Sequence, residues 1–285
     1  MSNKELLKDF IIEQLNEMGL TLEENHEPNM ANRKNNPFNC LPDIIDKYMG
    51  LGRSFDSQLG NRLQNIAFFC ARLKFGDISV PNIVFIDSKS AIVKVASIPI
   101  NHKPSKQLYA NAKVYNQYIR TIDVFDAQQL RNTLKYKKIT KENPVSKTFS
   151  VKFPTEYKEI KKDKTPVDLL IIYENENDGK IYAYAFEIKA GGNLDTKNSV
   201  ANATEVENLN NWFSFATGNE NRGYFATCYQ SAGGIKGGKL SDKQQMLNKD
   251  FWDFILPDDI SYDTFVDIYK SAFNSSNITE TIRRL

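Results

Sequence analysis

Two runs of strand-forming residues, 167–173 (VDLLIIY) and 181–189 (IYAYAFEIK), flank a short polar segment, 174–180 (ENENDGK), and together demand a β-hairpin. The polar segment contains Asp178-Gly179, a dipeptide suited to a tight reversal. Placing Tyr173 opposite Tyr182 gives an antiparallel register in which paired residue numbers add to a constant, so Asp168 falls opposite Glu187. A slip of one residue would send Asp168 to the other face. Along the second strand, Ala183, Ala185, Glu187 and Lys189 share one side, and Tyr184, Phe186 and Ile188 the other. The acidic face is therefore lined by small residues, which is expected to leave room for a substrate. Two facing carboxylates repel each other without a cation. Asp168 and Glu187 are accordingly candidate ligands of a divalent ion that prefers hard oxygen donors, with Lys189 on the same face.

The flanking residues sharpen this reading. After Lys189 the chain continues 190–198 (AGGNLDTKN), where paired glycines let the backbone leave the sheet sharply and come close to another polymer. Asp195 or Thr196 can cap the helix expected next. The plainer alternative is an exposed hairpin carrying an ordinary ion pair.

Other chemistries have little to work with. Only His26 and His102 occur, which leaves no material for a histidine-metal nuclease or a Ser-His-Asp hydrolase. The glycines of 233–239 (GGIKGGK) do not have phosphate-loop spacing and read as a flexible loop; if that loop meets nucleic acid, its amides with Lys236 and Lys239 would serve phosphates or base edges. Cys40, Cys70 and Cys228 are odd in number and widely spaced, so they suggest neither disulfides nor a zinc site and point to a reducing, cytoplasmic setting. No stretch approaches the length of a membrane span. The net charge is only +2, but residues 135–164 hold ten lysines against four acids, a local balance of +6. That block, with Lys161 and Lys162 nearest the hairpin, suits the phosphates of DNA. Six aspartates between Asp250 and Asp267 are expected to face away from it.

With 285 residues and 41% hydrophobic content, the chain can bury a large α/β core. Ser2 and Glu5 form a capping-box pattern ahead of Leu6, Leu7, Phe10, Ile11 and Leu15 at helical spacing, which predicts a helix over 4–18. Residues 23–42 read as a polar loop, 43–49 and 58–75 as two helices, and 83–100 as a strand pair around Asp87–Ser90. Residues 109–134 are ambiguous between helix and strand. A strand over 148–153 precedes Glu156 and Glu159, which could reach a metal indirectly but read more readily as surface. A helix over 196–216, a strand over 223–229 and helices over 251–255 and 262–273 complete the expectation.

Pro166-Val167-Asp168 with Glu187-Ile188-Lys189 resembles the catalytic signature of the PD-(D/E)xK nucleases, with a valine standing between the proline and the aspartate. Residues 53–60 (RSFDSQLG), 186–198 (FEIKAGGNLDTKN), 224–229 (YFATCY) and 250–255 (DFWDFI) are similar to type II restriction endonucleases of the TdeIII-like group. The resemblance runs from about residue 50 to the C-terminal end. It implies a restriction-endonuclease-like α/β core, a mixed central β-sheet flanked by helices, with extra N- and C-terminal helices. The implied organisation is an N-terminal helical segment over 1–57, a nuclease core with DNA-recognition insertions over 58–240 and a C-terminal helical segment over 241–285. It further implies Mg²⁺-dependent cleavage of double-stranded DNA at a GGNCC-like target. Asp168, Glu187 and the Ile188 carbonyl would bind the metal, and Lys189 would orient the attacking water. Candidate DNA contacts are Lys161, Lys162, Asn193, Lys197, Lys236 and Lys239. Many of these nucleases take a further acid from the first core helix. Here Gln64 stands at the corresponding position, which puts that ligand in doubt. A homodimer is expected, because a palindromic target mirrors two-fold protein symmetry; Leu6, Phe10 and Ile11, or Phe265, Ile268 and Tyr269, are the faces available for it unless they pack on their own core. The alternatives are a structure-specific repair or recombination nuclease of the same superfamily and a catalytically inactive DNA-binding protein.

Overall fold

The computed structural model describes residues 1–35, 41–77, 79–81, 83–87, 92–96, 119–123, 145–146, 167–191, 196–213, 216–229, 234–235 and 240–285. The chain divides into two compact units. Residues 1–70 and 256–285 form one, and residues 71–255 form the other. These boundaries lie beyond those read from the sequence at 57 and 240.

The first unit is helical. Helix α1 (Asn3–Lys34) starts with the capping box: the Ser2 backbone N–H donates to Glu5 Oε2 at 2.8 Å, and the Glu5 N–H donates to Ser2 Oγ at 3.3 Å. The bonds from Ser2 hold the Glu5 carboxyl below its ordinary pKa. Leu7, Ile11, Leu15, Met18 and Leu22 form its buried stripe. Met18 and Leu22 meet Ile278 of α6 (Ile278–Arg284), with Phe273 of α5 (Tyr262–Ser275) and with Phe55 and Leu59 of α2 (Asp43–Phe75) packed around them. Helix α6 was not expected from the sequence.

Helix α1 runs past its expected end at Met18 and through the expected 23–42 loop as far as Lys34, with Pro28 inside it. Pro28 removes one N–H from the ladder. Polar ties to α2 accompany the continuation: Asn29 Nδ2 donates to Ser54 Oγ at 3.2 Å, and Arg33 Nε donates to the buried Asp46 carboxylate at 2.7 Å. Nearer the start, Asn65 Nδ2 donates to Gln14 Oε1 at 2.8 Å, and Arg62 Nη1 to Glu17 Oε2 at 2.7 Å. Helix α2 is likewise one element where two were expected. Gly50 is packed so closely on Met30 and Arg33 that an added Cβ would lie 3.3 Å and 3.2 Å from them.

The expected dimer faces are largely used within this unit. Ile11 and Phe265 are buried, and Phe10 stacks on Phe69 with ring centroids 4.1 Å apart.

The second unit contains two four-stranded sheets among the described residues. One has the order β3-β2-β1-β4, all antiparallel, from Ile83–Asp87 (β1), Ile92–Ala96 (β2), Ile119–Asp123 (β3) and Val145–Ser146 (β4). The β1–β2 pair is the one expected around 87–90. The expected strand over 148–153 lies outside the described residues. The other sheet is mixed, with the order β5-β6-β7-β8: Leu169–Glu174 (β5) is antiparallel to Ile181–Lys189 (β6), while Gly223–Thr227 (β7) and Gln245–Leu247 (β8) run parallel to β6. Helices cover both faces of this sheet.

The β5–β6 hairpin has the register read from the sequence, with Tyr173 opposite Tyr182. Its turn closes with Gly179, at φ +63°, donating to the Asn175 carbonyl at 2.8 Å. The small residues of β6 serve a different purpose from the one expected. Ala183 and Ala185 are fully buried. Beside them in β7, an added Cβ on Gly223 would come 2.2 Å from the Val206 carbonyl and 3.0 Å from Leu209 Cβ, both in α3 (Thr196–Trp212). Small side chains on this face therefore seat a helix close to the sheet, and the room is not left for substrate. Ala203 and Val206 of α3, Phe225 and Ile235 form the core there. On the opposite face Tyr184, Phe186 and Tyr224 pack with Phe251 and Phe254 of α4 (Lys249–Ile255). Tyr173 joins them through Phe75.

Gly223→Ala should destabilise this unit by about 2–3 kcal/mol, because the obstacle is helix backbone that cannot rotate away. Urea unfolding of the variant checks this; a change below about 0.5 kcal/mol would show that α3 does not approach β7 so closely.

Candidate metal centre

Asp168 stands one residue before β5, and its N–H donates to the Phe186 carbonyl at 2.9 Å. Asp168 lies just beyond the last pair of the register, Leu169 with Phe186. Its own carboxylate then takes a backbone bond: Ile188 N–H donates to Asp168 Oδ2 at 2.8 Å. That bond fixes how the carboxyl is turned.

Lys189 lies two residues beyond Glu187 on the same face, and its Nζ donates to Glu187 Oε1 at 2.7 Å. The glutamate side chain is 17% exposed and the lysine side chain 38%, so the pair is partly withdrawn from water yet still reachable. Burial pulls the lysine pKa down, but the charge of Glu187, the hydrogen bond to it and the charge of Asp168 together outweigh burial and raise it. Lys189 thus carries its proton firmly and balances the two carboxylates.

The backbone around this cluster is pinned from the neighbouring strand. Cys228 N–H donates to the Lys189 carbonyl at 3.0 Å, and Tyr229 N–H to the Ala190 carbonyl at 2.9 Å. Trp252 Nε1 donates to the Cys228 carbonyl at 2.7 Å, tying α4 to the same end of the sheet. Thr227, fully buried and in register with Lys189, accepts at its hydroxyl from Asn248 N–H at 3.1 Å. Sequence reading did not single out Thr227 or Asn248. The signal for Asn248 was its place before a helix, where the chain turns at φ +49°, a conformation asparagine tolerates better than most residues. Further along the row that contains Glu187 and Phe225, Gln245 exchanges two hydrogen bonds with Ile235, at 2.8 Å and 3.3 Å.

The expected site residues divide sharply. Asp168 is bonded to the Ile188 N–H, and Lys189 to Glu187. Lys197 is exposed on the first turn of α3. Gln64 lies on α2, within the first unit. Lys161, Lys162, Asn193, Lys236, Lys239, Glu156 and Glu159 lie outside the described residues. Among the described residues no group of three or more His, Cys, Asp or Glu is placed to hold a metal ion. Two carboxylates nevertheless fit Mg²⁺, which commonly takes one or two protein carboxylates and keeps several waters. No known protein family, no curated protein and no solved structure matches this chain. No helix among the described residues is long and apolar enough to cross a membrane.

Glu187→Gln should lower the Lys189 pKa, since it removes the strongest group raising it, and NMR titration of the lysine side chain reads this directly. The sign for stability follows from the raised folded-state value. The pair's contribution is fully present below the unfolded lysine pKa of about 10.4 and is lost as pH rises through the higher folded value. Urea unfolding from pH 7 to 11 should therefore show an alkaline loss in the wild type that is smaller in Glu187→Gln; equal losses would contradict the coupling.

Proposed function

We propose that this chain is a Mg²⁺-dependent nuclease of the restriction-endonuclease type, cleaving double-stranded DNA at a specific sequence. The observation that carries the reading is the juxtaposition of Asp168, Glu187 and Lys189 at the end of a hairpin whose second strand continues into a β-α-β unit. The sequence resemblance to PD-(D/E)xK nucleases supports it and supplies the restriction-type assignment.

The chemistry follows from the residues. A divalent cation here would offset negative charge building on a phosphodiester and acidify a bound water. Asp168, oriented by the Ile188 N–H, and Glu187 would hold it, with the Ile188 carbonyl as a third oxygen. Glu187 Oε1 would exchange its bond from Lys189 for the cation. Lys189 would then turn toward the attacking water and the scissile phosphate, where its ammonium orients the one and balances the other. With its pKa raised, the lysine is suited to donating and holding charge. The pairing with Glu187 keeps it in place before substrate arrives.

Incubation with supercoiled plasmid and Mg²⁺ tests this reading. The wild type should give discrete fragments, and Asp168→Asn or Glu187→Gln should lower cleavage at least about 100-fold. Lys189→Ala should lose cleavage to a similar extent and bind Ca²⁺ at least as tightly by calorimetry, because the competitor for Glu187 is gone. A carboxylate variant that cuts near the wild-type rate would overturn the assignment.

A further inference from the structure

The N-terminal half of α2 carries an apolar stripe that the chain leaves in water. Ile44, Ile45, Tyr48 and Met49 are 46–66% exposed and recur at the spacing of one helix face, and Leu41, just ahead of the helix, is 42% exposed. Gly52 continues the stripe, and a Cβ added to it would meet nothing within 4 Å. The other side of this helix is already occupied: Asp46 pairs with Arg33, and Gly50 packs on Met30 and Arg33 of α1. Those contacts fix the helix rotation and turn the stripe outward.

Exposures of this size amount to about 500 Å² of contiguous apolar surface, at the upper end of what a monomer ordinarily shows. Two such patches joined would bury roughly 1,000 Å², the least that a specific interface needs. The stripe also fits a reversed copy of itself. Turned about the point between Asp46 and Lys47, Ile44 meets the partner's Met49 and Ile45 meets the partner's Tyr48, and Leu41, just ahead of the helix, comes toward the partner's Gly52. The glycine leaves space for the leucine, and every pairing is apolar. A two-fold contact needs this kind of self-complementary patch.

We propose that the face of α2 from Ile44 to Gly52, with Leu41 ahead of it, is the dimer interface of this protein, formed by antiparallel packing of α2 against a second copy. The proposal does not depend on the nuclease reading, because the stripe, its exposure and its anchoring belong to the helical unit alone.

Sedimentation of the full chain and of two surface variants tests it. The wild type should sediment as a dimer of the 32.6 kDa chain. Ile45→Lys and Tyr48→Glu should each weaken association more than about 100-fold, since each puts an unpaired charge in an apolar contact. Their unfolding temperatures at concentrations where all chains are monomeric should match the wild type, because both side chains are exposed. Mixed together, the two variants should associate again, because antiparallel pairing brings the introduced lysine of one chain against the introduced glutamate of the other, while the unaltered Ile45 and Tyr48 still meet. A wild type that stays monomeric up to about 100 μM would overturn the proposal and leave the stripe to a partner of another sequence. Retained dimers in either single variant, or a mixture that fails to associate, would also overturn it.

Discussion

Like charges gathered at the end of one hairpin repel each other, and in this protein a lysine on the strand of Glu187 offsets that repulsion. Asp168 stands just before β5 and accepts from the Ile188 N–H, while Lys189 binds Glu187 directly and also feels the charge of Asp168. The surrounding structure serves to hold this arrangement at an accessible end of an otherwise buried sheet. Strand β6 is covered on one side by α3, seated against Ala183 and Ala185, and on the other by aromatic rings from β5, β7 and α4. Only near its C-terminal end do charged side chains emerge. Hydrogen bonds from Cys228 and Tyr229 then fix the backbone on which Lys189 stands.

Such a cluster is a poor device for stability alone. A hydrophobic pair at the same positions would avoid both the repulsion and the desolvation of three charges. On the proposed reading the lysine would substitute for a cation until one arrives, and this exchange would link the ion-pair geometry to the proposed nuclease chemistry.

The hairpin was legible because its two strands alternate with period 2 and its turn contains Asp178-Gly179, so only one register keeps both buried faces intact. The register was therefore read correctly, and with it the face of β6 that holds Ala183 and Ala185. What covers that face was not, because small side chains announce a close approach without saying what approaches. At Ala183, Ala185 and Gly223 it is a helix. The long helices were underestimated for a related reason. Pro28 and the polar residues after Met18 weaken local helix signals, and the partners that accompany the helix there, Asp46 and Ser54, are supplied by a separate segment of chain. Of the two glycines there, Gly50 packs tightly on α1 and Gly52 stands in the open stripe.

The direct test of the cation-for-lysine exchange is crystallographic. Crystals of the wild type grown with Mn²⁺ and short DNA duplexes, measured at the manganese edge, should show an anomalous peak within about 2.2 Å of carboxylate oxygens from both Asp168 and Glu187, with Lys189 turned away from Glu187. Bound DNA with no anomalous peak between these carboxylates, and Lys189 still on Glu187, would contradict the account.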